Sequence, residues 1–114
     1  MSSILNDTKK ILGIDSTYDV FDQDIITFIN AAFSVVNQLG VGPDAGFYVT
    51  DETDEWVDIG VSDKLEKLLQ TYVYLRVRML FDPPSMSFLV DSMNNQLKEY
   101  EWRLNVFREA ELLA

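Results

Sequence analysis

The chain contains neither cysteine nor histidine. Without thiols there is no disulfide framework and no thiolate nucleophile, and without imidazole the commonest general base and a frequent zinc ligand are both missing. Any catalysis would rest on carboxylate, lysine or tyrosine alone, so no catalytic residue, metal site or cofactor is expected, and the chain reads as a non-enzyme. Basic residues are scarce: 9 Lys and Arg stand against 19 Asp and Glu, a formal charge of −10 at pH 7. A chain so acidic does not coat a nucleic-acid duplex, because holding phosphates requires clustered cations. No apolar run approaches the roughly 18 residues of a transmembrane helix. Residues 1–13 alternate polar and apolar without the uninterrupted core of a signal peptide, so an aqueous location without a membrane partner is expected.

What is present suits a folded domain. Hydrophobic residues make up 47% of the 114 and charged residues 25%, the balance of a globular chain, and the length fits one domain over residues 1–114. Ile4, Leu5, Thr8, Ile11 and Leu12 recur at helical spacing after the cap candidates Ser2 and Ser3, with Gly13 as a stop. A second helix is expected after Asp22, read as its cap, with Ile25, Ile29, Ala32, Val36 and Leu39 in one stripe broadened by Phe28, Phe33 and Val35, and Gly40 at its end. Residues 41–61 are punctuated by Gly42, Pro43, Gly46 and Gly60. They read as a long ordered loop or a short hairpin pairing residues 47–49 with 56–58.

A third helix is expected from Ser62 or Asp63, with Asp63 and Glu66 at capping-box spacing and a stripe of Leu65, Leu68, Leu69, Tyr72, Val73 and Leu80. Pro83 and Pro84 disfavour helical geometry before them and supply no donors, which stops it at Asp82. A fourth helix restarts at Ser85 with Met86, Leu89, Met93, Leu97, Tyr100, Leu104 and Phe107 in register to about residue 113. At ~1.5 Å per residue this rod reaches about 40 Å, more than a small bundle covers. The expected fold is all-α: a small helical bundle whose two long C-terminal helices are separated by a Pro-Pro break.

Charge is unevenly placed. Residues 1–58 carry 11 acids and 2 bases, net −9, whereas residues 59–114 carry 8 acids and 7 bases, net −1. The densest cluster, Asp51, Glu52, Asp54, Glu55 and Asp58, lacks the spacing, central glycine and closing glutamate of an EF-hand, and reads as a solvated loop or a partner-facing edge. Arg76 and Arg78 lie among Tyr72, Tyr74, Leu75, Val77, Met79, Leu80 and Phe81. They either snorkel outward from a core helix or reach carboxylates on a neighbouring surface. On the last helix, Glu99 and Arg103 have the favourable four-residue order for an intrahelical pair, while Trp102 lies off the main stripe. Trp102, Arg103 and Arg108 are interface-anchor types, set against a wide core stripe with an ordinary surface pair.

The order Ile29-Asn30, Gln38-Leu39-Gly40-Val41-Gly42, Trp56 followed by Asp58, Tyr72-Val73-Tyr74-Leu75-Arg76-Val77-Arg78, Phe81-Asp82-Pro83-Pro84 and Glu101-Trp102-Arg103-Leu104-Asn105 resembles the small head-tail connector proteins of tailed bacteriophages, also called head-completion or adaptor proteins. The resemblance spans residues 11–105 and rests on the combination of these motifs. It implies a structural virion protein, monomeric until the portal templates a homo-oligomeric ring, commonly twelvefold. Such a ring docks beneath the portal, extends the DNA channel without reading sequence, and receives the next connector or the tail. The host cytoplasm during assembly and the head-tail interface of the virion are the implied locations. Arg76, Arg78, Trp102, Arg103 and Arg108 become candidates for subunit or portal contact. Asp15, Asp19, Asp22, Asp24, Asp51, Glu52, Asp54, Glu55 and Asp58 become candidates to face the channel, where phosphate repulsion keeps passing DNA from adhering. The alternative is a small acidic protein-interaction or DNA-mimic regulator, whose binding to a basic partner would weaken steeply with salt.

Overall fold

The computed structural model describes the backbone of residues 3–113 and the side chains of residues 3–110. Four α-helices and one 3-10 turn follow in order: α1 (Ile4–Ile11), α2 (Asp22–Gln38), the turn (Trp56–Ile59), α3 (Asp63–Phe81) and α4 (Ser87–Leu113). No strand occurs among the described residues, so the fold is an all-α bundle. Its extents of 43 × 36 × 20 Å make it a slab about two helices thick.

α1 forms because Ser3 caps it: the Asn6 N–H donates to Ser3 Oγ at 3.2 Å. Ser2, the other cap candidate, lies outside the described residues. Ile4, Leu5 and Thr8 are buried as their spacing implies, and so is Lys9. α2 buries Ile25, Ile26, Ile29, Ala32, Phe33 and Val36, the core of the slab. Asp22 does not cap it. The cap position is Phe21, without a side-chain bond, and Asp22 opens the helix with its carboxylate turned to Lys9.

α3 runs through the middle, packed on α2 along one side and on α4 along the other. It is capped by Ser62, whose Oγ accepts the Leu65 N–H at 3.4 Å, in place of the expected Asp63–Glu66 pairing. Leu65, Leu69, Tyr72 and Val73 of its stripe are buried together with Val77, but Leu80 is exposed near the end of the helix. Asp82 leaves the helical conformation before Pro83 and Pro84 (φ −147°, ψ 69°), and α4 begins at Ser87, two residues later than expected. Of the α4 stripe only Leu97 and Leu104 are buried, because that helix packs chiefly against α3.

The segment between α2 and α3 is an ordered loop rather than a hairpin. Residues 56–58 belong to the 3-10 turn, and the polar backbone groups of Phe47 and Val49 are paired by two amide side chains of α2. Asn30 donates to the Val49 carbonyl at 2.9 Å and accepts its N–H at 2.8 Å. Asn37 does the same for Phe47 at 3.2 and 3.1 Å. A separation of seven residues puts both amides on one face of the helix, two turns apart. Trp56 then plugs the loop into the core, its ring against Tyr74 and Phe33 and its indole N–H donating to Asp7 Oδ2 at 3.0 Å.

Candidate assembly surfaces

The acids of the front half mostly build local structure before they can face anything else. Asp15 Oδ1 accepts the N–H and hydroxyl of Thr17, bonds that hold its carboxyl below the usual range. Asp22 meets the Lys9 ammonium at 2.8 Å, and the same Nζ donates to the Ser16 carbonyl at 3.0 Å, so a lysine with 0% exposure is fully engaged. Partial burial pushes the Asp54 carboxyl up. Bonds from the Thr50 N–H and hydroxyl and the Asp51 N–H outweigh this and hold it below its ordinary value. Asp51 closes a turn on Thr53, and Asp58 and Glu55 cap the 3-10 turn reciprocally.

The fold still gathers acids from both stretches. Asp19, Asp22, Asp51 and Glu52 line one shallow depression of about 370 Å³ on the α1–α2 side, although thirty residues separate the two groups. Asp15, Asp24, Asp54, Glu55 and Asp58 lie outside that lining. Among the described residues, Asp19, Asp24 and Glu52 have no side-chain partner, and no group of three acids is arranged to hold a metal ion.

The basic candidates separate into different places. Arg76 is half-buried beside Asn94, Leu97, Lys98 and Glu101 between α3 and α4. Glu101 there accepts the Tyr72 hydroxyl at 2.9 Å, and burial followed by that bond pushes the phenol well above its ordinary value. Arg78 turns back on its own helix end, donating to the Asp82 carbonyl at 2.7 Å. Arg103 pairs with Glu99 at 2.7 Å and lies over the Tyr100 ring, so the expected intrahelical pair is present. Trp102 is 65% exposed, which rules out the core-stripe reading in this subunit. With Leu68, Arg103, Val106, Phe107 and Ala110 it walls a largely apolar groove of about 340 Å³. Arg108 lies instead against Gly40, in a cleft between the loops at either end of the α2–α3 connection.

A further exposed apolar cluster escapes the sequence reading. Tyr18, Val20 and Phe21 of the α1–α2 turn are exposed, and Phe21 reaches the C-terminal end of α3 through a ring contact with Phe81 at 5.4 Å, which Phe28 also meets at 6.4 Å. Met86, just before α4, and Phe88 and Leu89 at its start are exposed as well, the uncovered beginning of a stripe on a rod longer than the bundle covers. The signal was there: consecutive Phe88-Leu89-Val90 cannot all share one helix face, and Val20-Phe21 is an apolar pair in a polar turn. No helix among the described residues is long and apolar enough to cross a membrane.

The fold is a small all-α bundle with aromatic and aliphatic side chains left uncovered near both ends of its central helix, the kind of patch that marks interaction sites in proteins generally. The chain belongs to the phage connector protein family, whose model matches residues 4–111. It is therefore a structural connector of a bacteriophage, in a family of structural proteins. No curated protein and no solved structure matches the chain.

Proposed function

We propose that the chain, acting as one domain over residues 1–114, assembles into a ring beneath the phage portal, extends the DNA channel and joins the head to the next connector or tail. The observation that carries this reading, within the family assignment, is the uncovered apolar surface. Trp102 and Phe88 are 65% and 60% exposed on a helix that packs chiefly against one neighbour. Ring neighbours of ordinary size would each cover about 800 Å² of a surface of 6913 Å². Trp102, Arg76 and Arg108 are the proposed contact residues. Arg78 and Arg103 contribute mainly through their pairs with Asp82 and Glu99.

The acidic depression around Asp19, Asp22, Asp51 and Glu52 is the part proposed to face the channel, where its repulsion of phosphate reaches about 8 Å at physiological salt. The other acidic candidates serve turns, caps and the remaining solvated edge. Those local bonds weigh against the DNA-mimic alternative, since a mimic needs its carboxylates free and Asp51, Asp54 and Asp58 are engaged within their own loop. No catalytic role is assigned. The protein acts in the virion and in the host cytoplasm during assembly.

The test is assembly. Mixed with the portal of its own phage, the purified chain should form rings visible by electron microscopy, and assembly should tolerate moderate salt because the contact is largely apolar. Monomers that persist beside an intact portal would count against the reading.

A further inference from the structure

A cleft of about 500 Å³ opens between residues 40–43, residues 59–62 and the last turns of α4. Its walls include the aliphatic groups of Val41, Ile59 and Leu65, and among the described residues Arg108 is its single charged lining residue. The guanidinium is seated against Gly40 so closely that a Cβ on that residue would stand 2.6 Å from Arg108 Nε. Among the described residues Arg108 makes no ion pair, although the chain carries 19 acids. A half-buried fork with apolar walls on one side suits a carboxylate presented next to a small aliphatic side chain.

The turn between α1 and α2 offers that form on a pre-shaped segment. There Asp19 has no side-chain partner, and the adjacent Val20 is 66% exposed, beside the half-exposed Tyr18. The turn is held in shape from beneath. The Tyr18 N–H donates to the Asp15 carbonyl at 3.0 Å, Thr17 is bonded to Asp15, and Phe21 is set against Phe81. Little ordering is left to be done on binding.

Turn and cleft cannot meet within one molecule. The turn lies by Phe81 at one end of α3 and the cleft by Leu65 near the other, sixteen residues or about 24 Å along the helix. We propose that in the assembled connector residues 18–20 of one copy seat in the Arg108 cleft of the next, with Asp19 on the guanidinium and Val20 against the aliphatic wall. The inference rests on the ring reading above and adds the pair of surfaces that meet. Two different patches on one chain give a head-to-tail contact, which repeats and closes into a ring when the rotation allows. Charge supports the second copy as occupant, since Asp19 is an acid of the turn without a side-chain partner and Arg108, among the described residues, is a base of the cleft without an ion pair. Seating Asp19 on Arg108 withdraws it from the channel-facing group, which is then Asp22, Asp51 and Glu52.

The test uses the full chain, alone at rising concentration and with its portal. Arg108→Glu should weaken association about tenfold or more, as expected for reversing one member of a close interfacial charge pair, and adding Asp19→Arg to the same chain should restore it. Circular dichroism checks that each variant keeps its helices, and Arg108→Gln, which adds no repulsion, should give an intermediate loss. Because the chain has no cysteine, Asp19→Cys and Arg108→Cys chains mixed under oxidation should give a mixed disulfide dimer in excess of either self-dimer. Rings that form normally with Arg108→Glu, stay weakened in the double charge reversal, or yield no mixed dimer would overturn this contact and leave the ring reading standing. A wild-type chain that remains monomeric even with the portal would overturn both.

Discussion

Replacing Asn30 by alanine gives the sharpest check on how the long connection is held. Asn30 satisfies both polar backbone groups of Val49, a residue 2% exposed, at 2.8 and 2.9 Å. Alanine leaves a buried N–H and a buried carbonyl without partners, each worth about 1–3 kcal/mol in lost satisfaction. Some water will enter as the loop loosens, so the expected loss is about 2–4 kcal/mol, or a fall in Tm on the order of 10–20 °C for a domain of this size. Asn37→Ala should cost less, about 1–2 kcal/mol, because Phe47 is only half-buried and water can replace the amide. The two amides hold the same stretch of chain, so the double variant should lose less than the sum. Urea unfolding followed by far-UV circular dichroism measures the global loss. In a Trp102→Phe background, fluorescence reports Trp56 at the centre of the loop and should change at lower urea in Asn30→Ala. An Asn30→Ala variant within about 0.5 kcal/mol of its parent would refute the reasoning, since that is the range of an unconstrained surface substitution.

Other variants probe the remaining joints. Gly40→Ala combines a left-handed φ of +82° with the close approach to Arg108, and should destabilise by about 1–2 kcal/mol; Arg108→Ala in the same chain should recover the steric part, read as a partial return of Tm. Asp7→Ala removes the acceptor of the buried Trp56 indole and should cost about 1–3 kcal/mol in urea unfolding, whereas Asp7→Asn, which keeps an acceptor oxygen, should cost much less. Burial, followed by the charge of Asp7, pushes the Tyr74 phenol up to about 12, and Tyr72 is raised still further. A raised folded pKa gives stability that is complete below the unfolded value near 10 and lost as pH climbs beyond it. The urea midpoint should therefore fall from about pH 10 upward, and Tyr74→Phe should flatten that fall.

The helices were legible because their spacing repeats. Ile25, Ile29, Ala32 and Val36, then Leu65, Leu69, Tyr72 and Val73, are buried where a 3.6-residue period puts them. The loop was not. Phe47, Tyr48 and Val49 with Trp56 and Val57 have strand composition, but strand preference reports fitness for a half-buried extended surface and does not identify the hydrogen-bonding partner. Here that partner is a pair of amides seven residues apart on α2, polar residues that an apolar count passes over. Lys9 was hidden for the same reason: it is buried because Asp22, thirteen residues on, brings a carboxylate to it, a coincidence in space that no local window contains. Among the candidate site residues, the Arg103–Glu99 pair was visible as an i, i+4 spacing, while the meeting of Asp19 with Glu52 and of Arg108 with Gly40 depends on tertiary packing. The α4 stripe fails differently. Its apolar spacing runs from Met86, just before the helix, to Phe107, yet only Leu97 and Leu104 are buried, because periodicity describes a face and says nothing about whether an element is available to cover it. On the ring reading, a stripe records what the chain buries when assembly is complete, and burial within one copy records only what that copy can reach. The difference between the two, at Met86 and Leu89, is then the part of the surface left for another subunit.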